Sequence, residues 1–358
     1  MQWEDDKAAT EFARLELMIS YKYDRYHGFE PGSRFYVALL GWLGQFASVN
    51  DRQIAYLFFR EKLIFISQRE MHHLVSLLMP MVERQIHGVV AKELGIPLYQ
   101  TWLSKSAIEK TELLKRCTLF VGLSDGARMD VFRRYNEENI SNEQVVAATE
   151  ISVDKWKDLQ GDLIKDLEKR GIPNANTGNF KQFCLIDDFT GSGSSLIRWD
   201  EAKQEWKGKI PRFCKNYEPF LTPYGTGPFA VQVHHHLASA NAADQIGKNL
   251  HAFGLTVPMF SFFTTYSYKL PATIVVSESS DADLVRLIKA CYDANIEDEH
   301  TGKDIWFGYR QSGLPLVLDH NTPNNSIALL WSRSPADSTS THKMKPLFAR
   351  RKRHSSHG

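Results

Sequence analysis

One segment of the sequence constrains the fold more than any other: an apolar run that leads directly into two acidic residues and a loop of small residues. The run is Phe183 to Ile186, the acids are Asp187 and Asp188, and the loop from Thr190 to Ser195 contains only Thr, Gly and Ser. A short continuous apolar run predicts a strand that is buried on both faces of a parallel sheet. Ligands bind at the carboxyl ends of strands in open α/β sheets. The segment therefore predicts an α/β fold with a binding site after this strand.

The acids and the loop suit two parts of one ligand. Adjacent carboxylates repel each other and resist burial, so they need partners such as a sugar diol or a metal ion. Small residues let the backbone approach a ligand and aim N–H groups and hydroxyls at an anion. We also expect a helix directly after the loop, at Leu196 to Arg198, whose N-terminus would favour the same anion. Together these features predict a phosphate cup beside a diol clamp.

Two other interpretations of this segment have to be weighed. The loop has no lysine and the chain has no Gly-x-x-x-x-Gly-Lys-Ser/Thr sequence, which excludes an NTPase P-loop. In the simpler alternative, Asp187 and Asp188 begin an ordinary turn and the loop is merely flexible. That alternative requires strand, double acid, small-residue loop and helix to coincide without a function, so we favour ligand binding.

The rest of the chain divides into a helical part and a part in which strands and helices alternate. Apolar residues recur with helical spacing from Asp6 to about Lys115, and Leu63 to Ile66 fits either a short strand or a connector. Continuous apolar strands that alternate with helices indicate a mostly parallel sheet. The further strands are expected at Thr118 to Leu123, Phe229 to His234, Ala272 to Val276 and Leu316 to Leu318, with a helix at Ala282 to Tyr292.

These patterns predict three regions. Residues 1–115 form a helical N-terminal region, residues 116–348 an α/β domain, and residues 349–358 a basic flexible tail. The stretch from Glu201 to Gly227 is rich in Lys, Pro, Gly and aromatic residues and is expected to be an inserted loop. It would either cover the site as a lid or lie on the surface.

The segment from Cys184 to Ser195 resembles the motif with which type I phosphoribosyltransferases bind phosphoribosyl pyrophosphate (PRPP). In that motif an apolar strand ends in two acidic residues and a Thr/Gly-rich loop. The resemblance implies that Asp187 and Asp188 hold the ribose 2′- and 3′-hydroxyls. It implies that the 5′-phosphate is bound by Thr190, Gly191, Ser192, Gly193, Ser194 and Ser195. The loop length fits without gaps, although serine stands at 192 and 195 where threonine is usual, and at 194 where Gly or Lys is usual.

A larger part of the chain resembles the phosphoribosyltransferase-like family found in bacterial conflict systems. The similar segments are Leu119 to Arg128, the Asp187 motif, and Leu316 to Asn325 with Leu330-Trp331, and the resemblance runs from about Arg34 to Arg350. It implies a sheet of the type I phosphoribosyltransferase kind with a helical N-terminal layer. It also implies a bacterial cytoplasmic protein that is encoded in an anti-phage or similar defence cassette.

A second turn would belong to the same site by this resemblance. Ser124, Asp125 and Gly126 follow the strand at Thr118 to Leu123 and occupy the place of the loop that meets pyrophosphate in type I enzymes. Gly126 permits an unusual backbone there, and Arg128 could reach an anionic group. The alternatives are a capped helix start with a surface arginine, or a Gly-x-Ser-x-Gly nucleophile elbow with a later histidine such as His320 as base.

The remaining polar clusters indicate less. His234, His235 and His236 are adjacent in a strand, so they cannot all reach one metal ion, and no carboxylate is spaced to complete a site. The four cysteines form no Cys-x-x-Cys pair, so we expect them to be reduced and mostly buried. Asn321 to Asn325 would make turns or line the rim of a pocket. We therefore predict no metal site made by protein ligands alone.

Charge and hydropathy exclude several classes of function. The chain has 43 Lys and Arg residues and 42 Asp and Glu residues, so no overall basic field would attract nucleic acid. The apolar runs are short, and the N-terminus is polar where a signal peptide would be apolar. We expect a cytoplasmic protein that binds neither membrane nor nucleic acid.

The leading hypothesis is a Mg²⁺-dependent phosphoribosyltransferase, a glycosyltransferase of nucleotide metabolism that uses PRPP or a related nucleotide in antiviral defence. Mg²⁺ would bridge oxygens of the pyrophosphate and the ribose and neutralise the leaving group. The alternative is a catalytically inactive sensor of a phosphoribosyl ligand, or a partner-binding module, whose helical N-terminal region contacts a partner protein. A nucleic-acid adaptor that uses the basic tail is a third possibility.

Overall fold

The computed structural model of the 358-residue chain describes residues 1–29, 32, 34–172, 178–224, 227–298 and 302–350. The chain forms two compact units. Unit 1 contains residues 1–71 and the residues from 271 onward, so both halves of the chain contribute to it, and unit 2 contains residues 72–270. The predicted domain boundaries at 115 and 348 stay predictions, because compactness alone does not establish independent folding. Of the predicted basic tail, residues 351–358 lie outside the described residues.

Several helices begin at residues suited to that position. Ser48, Ser152 and Ser239 each accept a hydrogen bond from the backbone N–H three residues later, and Gly95 ends a helix in the left-handed conformation at φ 64°. Replacing such a serine cap by alanine costs about 1 kcal/mol. The helices are α1 (Asp5–Tyr21), α2 (Phe35–Leu43), α3 (Val49–Lys62), α4 (Gln68–Ser76), α5 (Leu78–Leu94), α6 (Lys105–Arg116), α7 (Met129–Tyr135), α8 (Val153–Lys169), α9 (Lys209–Leu221), α10 (Ala240–Gly254), α11 (Ala282–Ala290) and α12 (Ala328–Trp331).

The strands lie in three sheets. Unit 2 contains a five-stranded sheet, all of whose neighbours pair in parallel, and a two-stranded antiparallel hairpin. Unit 1 contains a parallel pair of short strands. The strands are β1 (Ile64–Ile66), β2 (Thr118–Gly122), β3 (Val145–Val146), β4 (Gln182–Thr190), β5 (Arg198–Asp200), β6 (Glu205–Lys207), β7 (Phe229–Ser239), β8 (Phe260–Leu270) and β9 (Leu316–Leu318).

The five-stranded sheet has the order β3-β2-β4-β7-β8 and is covered on both faces by helices. Strand residues at odd positions, such as Leu185 and Val233, are buried against α8, α9 and α10. Strand residues at even positions, such as Phe120 and Ile186, are buried against α5, α6 and α7. Because both faces of β2, β4 and β7 are largely buried, these strands begin with apolar runs, which is why the sequence identified them. The predicted α/β fold with a mostly parallel sheet is confirmed.

Unit 1 packs around a cluster of aromatic rings. The ring centroid of Tyr23 lies 4.7 Å from that of Phe35, 5.3 Å from that of Phe65 and 6.1 Å from that of Phe348. The predicted strand at Leu316–Leu318 forms, but it pairs with β1 of the same unit. The prediction of a strand at Ala272–Val276 is wrong. Residues Ala272–Ile274 form a 3₁₀ turn after Pro271, and the Val276 N–H donates to the Gly313 carbonyl.

The remaining expectations about the chain as a whole have mixed outcomes. The predicted helix at Ala282–Tyr292 forms and ends at Ala290, and all four cysteines are buried. The inserted loop expected at Glu201–Gly227 is wrong, because the stretch contains β6 and all of α9. No described helix has both the length and the low polarity needed to cross a bilayer.

Three consecutive histidines occupy the middle of β7 and are all buried. His234 bonds the hydroxyls of Thr265 and Ser267 at 2.9 and 3.1 Å, while His235 stacks on the ring of Tyr266. Burial lowers the pKa of His235 to about 3 and of His236 to about 4, and it lowers the pKa of His234 well below its usual value. The three rings are therefore neutral in the folded protein at neutral pH.

We expect these histidines to make the protein sensitive to acid. The unfolded chain takes up protons below about pH 6.5 whereas the buried rings do not, so stability is present above that pH and is lost as the pH falls. Between pH 7 and pH 5 the His235→Leu variant should lose about 2 kcal/mol less unfolding free energy than the unmodified protein. Urea unfolding at the two pH values measures this difference. Exposed His251 on α10 provides the matched histidine-to-leucine control, and an equal effect of His235→Leu and His251→Leu would contradict the argument.

Candidate functional site

The residues that the sequence singles out lie in unit 2, after β2 and around the end of β4. β2 pairs with β4 up to Gly122 and Ile186, and the Leu123 N–H extends this ladder to the Ile186 carbonyl at 2.7 Å. The chain after β2 turns through a 3₁₀ segment at Asp125–Ala127. The structure thus brings the Ser124 turn beside the two acids, as the sequence resemblance implies.

Asp187 and Asp188 lie inside β4, and β4 continues to Thr190. Because successive side chains of a strand point to opposite faces of the sheet, the two carboxylates diverge. Asp187 lies on the face that α8, α9 and α10 cover and is 4% exposed, whereas Asp188 is half-buried on the other face. The two acids are therefore adjacent in the strand but face different surroundings.

Asp187 connects three segments of the chain. Its Oδ1 accepts a hydrogen bond from the Ser124 hydroxyl, and its Oδ2 lies 2.5 Å from the Lys209 ammonium at the start of α9. Burial and the neighbouring Asp188 carboxylate raise the pKa of Asp187, while Lys209 and the Ser124 hydroxyl oppose that shift. A buried carboxylate of this kind is tolerated because a cation and a hydroxyl satisfy its oxygens.

Asp188 packs directly against the turn after β2. A Cβ atom on Gly126 would lie 2.2 Å from Asp188 Oδ2, so a residue with a side chain does not fit there unless the carboxylate moves. The neighbouring Ala127 carbonyl accepts a hydrogen bond at 3.1 Å from Nε2 of the buried His236. The absence of a side chain at Gly126 therefore leaves room for the Asp188 carboxylate. The hydrogen bond from His236 holds the turn against the sheet.

The other residues of this turn differ in exposure. Asp125 is exposed, Arg128 is half-buried and adopts the left-handed conformation at φ 55°, and the Ser124 hydroxyl is engaged by Asp187. A hydrolase elbow requires its serine to meet a histidine base. Since Ser124 donates to a carboxylate, the turn does not present that arrangement. His320, the base considered from the sequence, lies in unit 1.

The loop from Thr190 to Ser195 is folded tightly and held from outside. Gly193 has φ +75° and its N–H donates to the Thr190 hydroxyl at 3.2 Å, while the Ser239 hydroxyl donates to the Gly191 carbonyl at 2.8 Å. The hydroxyls of Ser192 and Ser194 are 3.0 Å apart. This bracing makes the loop an ordered part of the site, against the alternative of a merely flexible linker.

Several donors of this loop remain available. Within the part of the chain that the structure describes, no group accepts a hydrogen bond from the N–H groups of Ser192, Ser194 and Ser195. Of these three residues, Ser194 is buried, Ser192 is half-buried and Ser195 is exposed. Consecutive backbone donors of this kind bind phosphate groups in many proteins.

The helix expected directly after the loop is wrong. The chain forms the β5–β6 hairpin first, and the helix, α9, begins at Lys209. Its first N–H groups, those of Lys209 and Ile210, donate to the carbonyls of Ser195 and Leu196 at 3.2 and 3.1 Å. The helix N-terminus therefore abuts the loop, but these donors are already used.

Sequence reasoning named Lys209 only as part of a possible lid and did not pair it with Asp187. It lies in the stretch that was interpreted as an insertion or a lid, but α9 buries Phe213 and Tyr217 in the core, which excludes a mobile lid there. The return to the loop depends on Gly208, at φ +127°, where a Cβ atom would lie 2.3 Å from the Leu196 carbonyl oxygen. A glycine followed by lysine is too common a pair to have identified this residue from the sequence.

The segment Asn321–Asn325 has a structural role in unit 1. The Thr322 hydroxyl contacts the Tyr26 hydroxyl at 2.9 Å and donates to the Phe348 carbonyl at 3.1 Å. The Asn325 amide donates to the Ser312 hydroxyl at 2.9 Å. Across the described ranges, no three His, Cys, Asp or Glu side chains are grouped so as to hold a metal ion.

Comparisons with known proteins give one result. A family model described as PRTase-CE matches residues 39–350. The match bears out the resemblance to a phosphoribosyltransferase-like family that the sequence motifs between Arg34 and Arg350 indicate. No match is found among the curated proteins or among the solved structures.

Removing the cation beside Asp187 should destabilise the protein. In Lys209→Met the buried carboxylate loses its charged partner, and we expect a loss of about 2 kcal/mol at pH 7, less than for a fully buried pair. Lys209 is 28% exposed, which accounts for the reduction. The loss should shrink as the pH falls, because Asp187, with its pKa already raised, takes up a proton.

Urea unfolding at pH 7 and pH 5 measures this effect. Lys215→Met, on the exposed side of the same helix, is the matched control and should change stability by less than about 0.5 kcal/mol. Equal stability of the Lys209→Met and unmodified proteins at pH 7 would show that the ion pair does not stabilise the fold.

Proposed function

The chain belongs to the PRTase-CE family and is thus phosphoribosyltransferase-like, and from this premise we propose that it binds PRPP or a related phosphoribosyl nucleotide after strands β2 and β4. The observation that carries the proposal is the braced loop from Thr190 to Ser195. The loop presents backbone N–H donors that have no acceptor among the described residues, and it follows the half-buried carboxylate of Asp188. A phosphate group and a sugar diol joined in one molecule match these two features.

The loop is assigned to the 5′-phosphate. The N–H groups of Ser192, Ser194 and Ser195 supply donors, and the serine hydroxyls can add further ones. Gly191 and Gly193 keep the backbone accessible because they carry no side chain. The loop has no charged side chain, so it binds the phosphate by geometry and backbone dipoles.

We divide the roles of the two acids according to the faces on which they lie. Asp188 is the carboxylate that meets the ribose diol, since it is half-buried and lies beside the turn after β2. Asp187 acts from the buried side by fixing Ser124 and Lys209. This division modifies the expectation from the sequence resemblance, in which both acids hold the diol.

The turn from Ser124 to Arg128 is assigned to the pyrophosphate. Gly126 lets its backbone approach Asp188 closely, and Arg128 provides a guanidinium suited to an anionic oxygen. In the transfer reaction the bond between ribose C1 and the pyrophosphate oxygen breaks as a nitrogen acceptor bonds to C1. The contribution of the protein is to position the ligand and to stabilise the departing charge.

Mg²⁺ fits this proposal as an ion carried by the ligand. Of the two acids, Asp187 is buried and Asp188 is half-buried, so Asp188 is the more accessible carboxylate. The described residues offer no cluster of three metal ligands. Oxygens of the diphosphate and the ribose would therefore supply most of the coordination, and Asp188 would be the carboxylate of the protein that adds to it. When bound, the ion would neutralise the leaving pyrophosphate.

Asp188→Asn should weaken the binding of PRPP by about tenfold to hundredfold, because a neutral amide replaces a charge-assisted acceptor of the diol. Calorimetric titration with PRPP and Mg²⁺ measures the affinity, and a pyrophosphate assay with nucleobases added tests for turnover. Asp158→Asn, an exposed change on α8, is the matched control. Failure of the unmodified protein to bind both PRPP and nucleoside 5′-monophosphates would reject the proposal.

The same samples separate the two forms of the proposed function. Release of pyrophosphate supports a transferase. Tight binding of PRPP without release of pyrophosphate, whichever nucleobase is added, supports a ligand sensor. The defence role that the sequence resemblance implies is part of the proposal. It is tested by comparing phage plating on bacteria that carry the complete cassette with either the unmodified protein or the Asp188→Asn variant.

Gly126→Ala should reduce PRPP affinity without unfolding the protein. The added methyl group would lie 2.2 Å from Asp188 Oδ2 and force that carboxylate to move. A displacement of this size in a positioned group costs about tenfold to hundredfold. Gly161→Ala on α8 is the matched control, because its Cβ atom would meet nothing within 4 Å. An unchanged affinity in Gly126→Ala would exclude Asp188 from the binding site.

A further inference from the structure

Lys209 places a cation beside a loop that has none of its own. Its backbone N–H donates to the Ser195 carbonyl at 3.2 Å, so the residue is fixed to the end of the loop. Its ammonium lies 2.5 Å from Asp187 Oδ2, and the side chain is 28% exposed. The ammonium is thus anchored on its buried side by Asp187 while part of the side chain faces solvent.

The ammonium has donors to spare. An ammonium group carries three N–H donors, and Asp187 is the acceptor that the described residues offer to Lys209 Nζ. Two donors are therefore available to a ligand. Asp187 keeps the side chain in place, so little conformational entropy is lost when a second acceptor arrives.

A phosphate in this loop would need a cation. The dianion would lie close to two carboxylates, those of Asp187 and Asp188, and like charges in one site are unfavourable without compensation. Arg198 is near the loop as well, but it donates to the Ser194 carbonyl at 2.9 Å. The C=O and N–H of a peptide group point in opposite directions. Arg198 therefore braces the loop on the side opposite to the N–H donor of the same peptide group.

We propose that Lys209 is a ligand-binding residue that donates to the 5′-phosphate held by the loop from Thr190 to Ser195 while it remains paired with Asp187. This inference rests on the proposed function, since it assigns one residue within the same site. It makes Lys209 a specificity residue for phosphorylated ribose, and it gives Asp187 the role of positioning that lysine.

The test is a cycle of variants with two ligands. Affinities for PRPP with Mg²⁺ and for ribose 5-phosphate are measured by calorimetry. The proteins are unmodified, Lys209→Met, Asp187→Asn, the double variant Asp187→Asn with Lys209→Met, and the control Lys215→Met. The Asp187→Asn background matters because the carboxylate that pairs with Lys209 is absent there. Asp187→Ser provides a second neutral background should Asp187→Asn not fold.

We expect Lys209→Met to weaken both ligands by the same factor, about tenfold to hundredfold, because both carry the 5′-phosphate. The loss should persist but be smaller in the Asp187→Asn background, because the lysine keeps its donors there and loses the acceptor that positions it. Lys215→Met should have no effect. Lys209→Arg should restore part of the affinity, since it retains a donor with positive charge.

Three outcomes distinguish the possible failures. If Lys209→Met has no effect once Asp187 is neutral, Lys209 acts only by neutralising that carboxylate and the inference is overturned. If PRPP is weakened but ribose 5-phosphate is not, the lysine meets the pyrophosphate and the inference is likewise wrong. If the unmodified protein binds neither ligand, the proposed function itself fails.

Discussion

The candidate site depends on a carboxylate that is buried where burial is costly. Asp187 lies 4% exposed inside the central strand β4, and its two oxygens are satisfied by residues from different segments, Ser124 and Lys209. Because an unpaired charge at this depth would cost several kcal/mol, the fold has to bring both partners to it. The turn after β2 and the start of α9 are thereby both fixed against β4. Through Asp187, these two segments are therefore held next to the strand that leads into the loop from Thr190 to Ser195.

The parts of the fold that could be predicted from the sequence are those specified by local pattern. The apolar runs of β2, β4 and β7 identified a buried parallel sheet, and the small residues after β4 identified a tight loop. The divergence of Asp187 and Asp188 was missed because the strand was ended at Ile186. The structure continues it to Thr190, and Phe189 after the two acids was the available signal. Strand alternation over four more residues would then have placed the acids on opposite faces.

Other features depend on contacts between segments distant in the chain. The hairpin β5–β6 consists of two three-residue strands with mixed polarity, a pattern too short to distinguish from a loop. The pairing of β9 with β1 joins residues about 250 positions apart, and local composition does not specify a strand's partner. The position of Lys209 at the site follows from the same kind of long-range return. Such features are determined by packing and by hydrogen bonds that form only in the complete fold.

The hairpin between the loop and α9 has a consequence for how sequences of this kind can diverge. The chain leaves the loop at Leu196 and returns at Lys209, and two backbone hydrogen bonds, to the Ser195 and Leu196 carbonyls, close the excursion at its base. The entropy of closing such an excursion rises only with the logarithm of its length, by about 0.6 kcal/mol for each doubling. Insertions and deletions at the hairpin tip, around residues 201–204, are therefore tolerated by the geometry at its base. The hairpin is a position at which a new recognition surface can be added while the arrangement of the binding loop is preserved.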